Sequence, residues 1–117
     1  MLLVDDDSSL VEAVKLGLES YGLPVVTAQD GNEGLERLRS EHPCVVLLDL
    51  EMPGMSGWQF VEQQQADPSI ASVPVVVVSS HNDATRQARA LHAAASLQKP
   101  VDLDDVMATV RRQCTTA

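Results

Sequence analysis

The chain has 117 residues, 44% of them hydrophobic and only 3% aromatic, which fits one globular domain with an aliphatic core and excludes wholesale disorder. Seventeen acidic side chains outnumber eight basic ones, which gives a formal charge of −9. This charge excludes binding to nucleic acid through a generic basic surface, and it would repel the chain from an anionic membrane. No apolar run approaches the roughly 18 residues of a transmembrane helix, and we expect no signal peptide, because the start runs directly into three aspartates.

Short apolar runs predict the strands. Four runs are apolar or β-branched and end abruptly at polar residues, and a fifth, weaker run precedes Lys99. Unbroken runs of this kind suit strands that are covered on both faces. The predicted strands cover residues 2–4, 24–28, 44–48, 73–78 and 95–98.

Amphipathic segments between these runs predict five helices. The first is expected to begin with a capping box, in which the Ser9 and Glu12 side chains satisfy free backbone amides, and Asp102 can cap the last. The predicted helices cover about residues 9–21, 30–40, 58–66, 83–94 and 102–113. Their core-facing side chains are expected to be Leu10, Val14, Leu18, Leu35, Leu38, Phe60, Val61, Ala88, Leu91, Ala95, Leu103, Val106, Met107 and Val110.

The strands alternate with helices five times, which predicts parallel pairing with right-handed crossovers and a three-layer α/β/α sandwich. In such sheets, ligands bind outside the carboxyl ends of the strands. These ends carry Asp5 and Asp6 after the first strand, Asp49 after the third, Ser79 after the fourth and Lys99 after the fifth. We therefore expect three carboxylates, a hydroxyl and an ammonium group to converge on one edge.

This set of groups suits phosphoryl transfer. Neighbouring carboxylates repel each other unless a cation intervenes, and hard oxygen donors favour Mg²⁺ together with phosphate oxygens. An aspartate can attack phosphorus and form an acyl phosphate, while Lys99 neutralises the phosphoryl group and Ser79 donates a hydrogen bond to it. The residues alone thus predict a self-phosphorylating aspartate site.

Four motifs, in order, carry a family resemblance. They are LLVDDD at residues 2–7, VVLLDLEMPGMSG at 45–57, PVVVVSS at 74–80 and QKP at 98–100. The second is the most specific, since an apolar run ending in D-x-x-M-P-x-x-x-G is rarely met elsewhere. The chain resembles a response-regulator receiver domain of two-component signalling. The resemblance implies a flavodoxin-like, doubly wound five-stranded parallel sheet of order 2-1-3-4-5, and a single receiver domain over residues 1–117 with no output domain in this chain.

The resemblance also assigns the metal and phosphoryl sites. Asp49 would be the phosphoacceptor. Mg²⁺, or Mn²⁺, would be bound by Asp6 directly, by Asp5 often through water, by Asp49 and by the backbone carbonyl of Glu51. Glu51 also occupies a position that tends to tune the lifetime of the phosphoryl group in this family.

Further roles follow from the same resemblance. Ser79 would be the switch hydroxyl, Lys99 would pair with the phosphoryl group, and the Lys99–Pro100 bond would be cis. His81 is the second position that tends to tune the phosphoryl lifetime. The phosphoryl donor would be a phosphohistidine on a histidine kinase or phosphotransfer protein.

The implied protein is a cytoplasmic signalling domain. It is not an enzyme in the usual sense, but catalyses its own phosphorylation and dephosphorylation and thereby switches a protein-interaction surface. That surface would act on a downstream protein, or on an output domain outside this chain, with no direct nucleic-acid or membrane binding.

Two positions depart from the family pattern. Ser96 stands where an aromatic residue is usual, and no aromatic residue follows Phe60. His92 stands where glycine is common. The usual inward motion of an aromatic ring therefore cannot operate, and the output mechanism differs from the usual one.

Two alternatives remain open. In a haloacid-dehalogenase-type phosphatase Asp5 would be the nucleophile, although the chain is short for such an enzyme and shows no cap segment. A receiver-like docking module that is never phosphorylated is favoured only by Ser96. Cys44 and Cys114 lie far apart in no C-x-x-C motif, so we expect two ordinary thiols in a reduced cytoplasm.

Overall fold

One parallel sheet of five strands forms the central layer. The computed structural model describes residues 1–52, 54–80 and 84–114, without the side chains of residues 84 and 85. In chain order the strands are β1 (Leu2–Val4), β2 (Val26–Ala28), β3 (Val46–Asp49), β4 (Val75–Ser79) and β5 (Ala95–Gln98). Their spatial order is β2-β1-β3-β4-β5, with every neighbouring pair parallel. The predicted fold class and strand order are confirmed, although β2, β3 and β4 begin two residues later than predicted.

Five helices cover the two faces of this sheet. They are α1 (Ser8–Ser20), α2 (Gly31–Glu41), α3 (Gly57–Gln65), α4 (Ala84–Ala90) and α5 (Leu103–Cys114). Asp102 accepts a hydrogen bond from the Asp104 amide at the start of α5, as its predicted capping role requires. Among the described residues, no helix has the length and apolar character needed to span a bilayer.

The predicted start of α1 is wrong. The N-cap is Asp7, whose carboxylate accepts hydrogen bonds from the amides of Ser9 and Leu10. Asp7 lies next to the first helical residue and satisfies these two amides itself. The Ser9–Glu12 capping box therefore does not form, because Ser9 is already inside the helix.

The predicted end of α4 is also wrong. The helix stops at Ala90 rather than near residue 94, because His92 adopts the left-handed conformation with φ of 56°. The Ala93 amide then donates to the Ala88 carbonyl at 2.8 Å, which closes the helix end. Ala95 consequently lies in β5 and not on the helix, where its side chain is half-buried.

The apolar core consists of two clusters, one on each face of the sheet. Alternate residues of β1 enter different clusters: Leu2 and Val4 face the α2, α3 and α4 layer, whereas Leu3 faces the α1 and α5 layer. Phe60, the only phenylalanine, is fully buried in the first cluster. The strands are therefore covered on both faces, and the predicted three-layer arrangement is confirmed.

A close approach of α2 to the sheet depends on Gly34. A β-carbon there would lie 2.9 Å from Val4 Cγ2 and 3.0 Å from Phe60 Cε2, both fully buried. We expect Gly34→Ala to lower the free energy of unfolding by about 1–2 kcal/mol, because overpacking outweighs the gain in helix propensity. Urea unfolding followed by the fluorescence of Trp58 measures this. Glu36→Ala on the exposed side of α2 is the control, with an expected change within about 0.5 kcal/mol; equal effects of the two substitutions would contradict the packing argument.

The expectation of two ordinary thiols is wrong. Cys44 and Cys114 form a disulfide, with their Cα atoms 5.3 Å apart across 70 residues of sequence. Cys44 lies shortly before β3, and Cys114 is the last residue of α5. The packing of α5 against the sheet brings the two together, which sequence spacing alone does not reveal.

Candidate functional site

Three carboxylates meet at the carboxyl edge of the sheet. Asp5 follows β1 and Asp49 ends β3, and these two strands are direct neighbours. Asp5 is 1% and Asp49 is 2% exposed, while Asp6 is exposed to solvent. One carboxylate oxygen from each residue lies within 4.8 Å of the others. The edge thus combines two buried acids with a third that solvent can reach.

Lys99 is the cation of this site. Its Nζ lies 3.2 Å from Asp5 Oδ2 and 3.5 Å from Asp49 Oδ2. Lys99 follows β5, and its backbone amide donates to the Ser79 carbonyl at 2.8 Å. The Lys99–Pro100 peptide bond is cis, as the family resemblance implied. Because β4 separates β5 from β3, the length of the lysine side chain is what brings its charge to the acids.

Backbone amides orient both buried carboxylates. Asp5 Oδ1 accepts a hydrogen bond from the Asp7 amide at 2.9 Å, and Asp49 Oδ1 accepts one from the Glu51 amide at 3.0 Å. In each case the amide lies two residues ahead, the local arrangement of an Asx turn. One oxygen of each acid is thereby held by its own loop, and the other is directed toward Lys99.

The environment shifts the pKa values of Asp49 and Lys99 upward. Burial raises the pKa of Asp49 to about 6 and the charge of Asp5 adds to the rise, while the Glu51 amide and Lys99 oppose it. Burial disfavours the charge on Lys99, but the charges of Asp49 and Asp5 outweigh it and raise the pKa of Lys99 above its ordinary value. The site therefore keeps its lysine charged while its ionised acids are crowded.

The raised pKa of Asp49 predicts a pH-dependent stability. Between the ordinary value of 3.8 and about 6, the folded chain retains a proton that the unfolded chain has lost. The contribution of Asp49 to the free energy of unfolding therefore falls as pH rises through this window. Urea unfolding in metal-free buffer checks this against Asp49→Asn, whose stability should fall less over the same window; parallel curves for the two proteins would refute the assignment.

The Glu51 side chain connects the loop after β3 with the end of β4. Glu51 Oε1 accepts from the Ser79 hydroxyl and from the Ser80 amide, both at 2.8 Å, and Oε2 accepts from the Ser80 hydroxyl at 2.6 Å. Ser79 itself is fully buried. The sequence indicated Ser79 and the Glu51 carbonyl as functional groups, with the hydroxyl of Ser80 as a competitor of Ser79, but gave no sign of this contact.

The structure brings all the residues predicted for the site to one edge, except that His81 lies outside the described residues.

The charge and the ligand type of the site residues fit the metal ion that the family resemblance implies. Three carboxylates and one ammonium group leave two negative charges when all are ionised, which matches the charge of one divalent cation. Carboxylate oxygens are also the ligands that Mg²⁺ prefers, so the residues present fit the ion.

Comparison with known proteins identifies the family. The sequence profile of the response regulator receiver domain matches residues 1–111. The chain belongs to this family. Among curated relatives, it is 32% identical over 112 residues to protein PilH of Pseudomonas aeruginosa, with 94% of this chain and 93% of PilH covered. It is 37% identical to the DNA-binding transcriptional regulator NtrC of Salmonella typhimurium, where the match covers 94% of this chain but 24% of NtrC.

Solved receiver structures agree with the fold. Chemotaxis protein CheY4 of Vibrio cholerae superposes with a TM-score of 0.86 at 27% identity, covering 96% of this chain and 95% of CheY4. Within this receiver fold, Ser96 lies in β5 opposite Val77, and its side chain is half-buried. The position for which the family resemblance implied an aromatic residue is thus occupied here by a small polar one.

Proposed function

We propose that this receiver domain accepts a phosphoryl group from a phosphohistidine onto Asp49, with Mg²⁺ or Mn²⁺ bound beside it. The arrangement of Asp49 is the observation that carries the proposal. Its carboxylate is buried at the carboxyl edge of the sheet, next to a second acid and within 3.5 Å of Lys99. A buried acid with a raised pKa and specific charged neighbours is a typical feature of functional sites.

The metal would be held by the carboxylates of Asp5, Asp6 and Asp49 and by the Glu51 carbonyl. When bound, it neutralises the crowded carboxylates and polarises a phosphoryl oxygen. The Asp49 carboxylate forms the new O–P bond, while the N–P bond to the donor histidine breaks and the imidazole keeps the electron pair. The Glu51 amide holds one oxygen of Asp49 in place, so little reorientation is needed for attack.

Lys99 and Ser79 would stabilise the transferred group. Lys99 pairs with the phosphoryl oxygens in addition to Asp5, and its charge offsets the negative charge that the phosphoryl group adds. Ser79 would move its hydroxyl from Glu51 to a phosphoryl oxygen. This exchange would reposition Ser80 and the end of β4, and so couple phosphorylation to a change of surface.

The exchange at Ser79 predicts the effect of Glu51→Gln. The substitution removes a negative charge beside the phosphoryl site and weakens the acceptor that holds the Ser79 hydroxyl. A hydrogen bond to a charged group contributes about 1.5–3 kcal/mol and one between neutral groups about 0.5–1.5 kcal/mol. The difference of about 1 kcal/mol lowers the cost of releasing the Ser79 hydroxyl, so we expect phosphorylation by acetyl phosphate to accelerate by about 2- to 10-fold. Time courses of intact mass measure the rate, with Glu62→Gln on the exposed face of α3 as the control. An unchanged or slower rate in Glu51→Gln would show that Glu51 does not restrain Ser79.

The proposed partners follow from this chemistry. A histidine kinase or histidine phosphotransfer protein supplies the phosphoryl group in the cytoplasm. The altered surface then acts on a downstream protein, or on an output domain outside this chain. With Ser96 in β5, this output would proceed without inward movement of an aromatic ring, and the acidic surface would bind neither nucleic acid nor membrane directly.

The test uses the protein and a small phosphodonor. The chain is incubated with acetyl phosphate and Mg²⁺, with an EDTA-treated sample as the control, and intact mass is recorded. The proposal predicts one added phosphoryl group in the Mg²⁺ sample alone. If neither acetyl phosphate nor phosphohistidine donors modify the chain, the proposal fails and the protein is a docking module instead.

A further inference from the structure

We propose that Cys44 and Cys114 form a reversible redox site, which exchanges with low-molecular-weight disulfides and controls how firmly the end of α5 is held to the sheet. The two residues are joined by a disulfide at the edge opposite the phosphorylation site. The reversible character rests on the proposed function, because a cytoplasmic receiver domain meets a thiol-reducing pool. Disulfides that form in such a compartment are usually transient or redox-sensing rather than structural.

The disulfide is placed where it can open without loss of the core. Cys44 is exposed and Cys114 is half-buried, so small thiols and disulfides can reach the sulfur–sulfur bond. The buried core residues of α5 are Val106, Met107 and Val110, whereas Cys114 is only partly buried and packs against the same cluster. The contacts of the three core residues remain when the sulfur–sulfur bond breaks, so reduction should loosen the last turn of α5 and leave the domain folded.

The proposed reaction is thiol–disulfide exchange. The thiolate of one cysteine attacks a sulfur of oxidised glutathione, which forms a mixed disulfide and releases one glutathione. The other cysteine then attacks the protein sulfur of the mixed disulfide and releases the second glutathione. Two electrons pass from the cysteine pair to glutathione, and the two protons of the cysteines end on the released thiols. Reduced glutathione reverses both steps.

The redox site and the phosphorylation site occupy opposite ends of α5. The helix begins at Leu103, shortly after Lys99, and ends at Cys114. Oxidation fixes the far end of the helix to the segment before β3, whereas Lys99 at the near end contacts Asp5 and Asp49. The state of the thiols should therefore affect the last turn of α5 strongly and the chemistry at Asp49 little.

The test equilibrates the whole chain with defined ratios of reduced and oxidised glutathione, then traps free thiols with an alkylating reagent for intact mass measurement. As the share of oxidised glutathione rises, we expect one cooperative transition from a protein with two alkylated cysteines to a protein with none. A mixed disulfide with glutathione should not accumulate. Hydrogen exchange should be several-fold faster over residues 110–114 in the reduced form and unchanged in β3 and β4. Cys44→Ser is the control, and Cys114 should form no intramolecular bond in it.

Three outcomes would overturn the proposal. If both cysteines are alkylated at every ratio of reduced to oxidised glutathione, the two cysteines do not pair. If glutathione adducts of the protein accumulate, the second cysteine does not attack the mixed disulfide. A disulfide that resists reduction in the folded protein would be structural. Phosphorylation by acetyl phosphate is measured on the same samples, and we expect it in both redox forms. A failure of the redox site is therefore distinguishable from a failure of the proposed phosphoacceptor function.

Discussion

Replacing Asp49 with Asn is expected to abolish phosphorylation and to raise the free energy of unfolding by about 1 kcal/mol at neutral pH without Mg²⁺. An amide cannot serve as the nucleophile, so no acyl phosphate forms. The same change removes a negative charge from a position that is 2% exposed and lies beside Asp5. Functional sites often retain such unfavourable charges because the chemistry requires them.

The measurement combines intact mass after acetyl phosphate treatment with urea unfolding. Asp7→Asn is the matched control, since it makes the same substitution on the same loop edge at an exposed position. Asparagine caps helices as well as aspartate does, so this variant should be phosphorylated normally and have nearly unchanged stability. A phosphorylated Asp49→Asn variant would contradict the assignment of the phosphoacceptor.

Replacing Lys99 with Met is expected to slow phosphorylation by about 10-fold or more. The substitution keeps a flexible side chain of similar length and removes the charge that would pair with the phosphoryl group. A hydrogen bond to a charged group contributes about 1.5–3 kcal/mol, which corresponds to roughly 10- to 100-fold in rate if the contact strengthens in the transition state. Time courses with acetyl phosphate at saturating Mg²⁺ measure the loss.

Lys99→Met should also destabilise the folded chain in metal-free buffer, because Asp5 and Asp49 then lose the cation that lies 3.2 and 3.5 Å from them. Mg²⁺ should restore part of this stability, since it neutralises the same carboxylates. Lys15→Met on α1 changes the only other lysine of the chain and serves as the control. Wild-type phosphorylation in Lys99→Met would remove Lys99 from the proposed mechanism.

Much of the fold could be predicted because the sequence signals were local and repeated. Buried strands such as β4 are runs of valine, and each run is followed by an amphipathic segment. The strand order is not local, because it depends on where each crossover returns to the sheet, and it came from the family resemblance. The errors at α1 and α4 involved competing local signals: Asp7 satisfied the amides that a Ser9 cap would have served, and His92 adopted the left-handed conformation that ended α4 early.

The sequence predicted which residues converge at the site, but it did not predict all the contacts between them. Asp5, Asp49 and Lys99 lie at the carboxyl ends of parallel strands, and this fact alone places them at one edge of the sheet. The bridge from Glu51 to Ser79 and Ser80 depends on side-chain torsions in a loop, which no sequence periodicity encodes.

The disulfide was missed for a different reason. Cys44 and Cys114 are 70 residues apart, and their meeting depends on the rotation and length of α5 against the sheet. A one-turn change in that helix would separate them, since each turn advances about 5.4 Å. Contacts of this kind follow from tertiary packing rather than from the pattern around either cysteine.

The most direct test of the central claim is to locate the phosphoryl group on the chain. After treatment with acetyl phosphate and Mg²⁺, reduction with borohydride converts an aspartyl phosphate to homoserine, which peptide mass spectrometry identifies by position. Our account predicts homoserine at Asp49 and unmodified aspartate at Asp5, Asp6 and Asp7. Homoserine at Asp5 would contradict the account and indicate the nucleophile of a phosphatase-type mechanism instead.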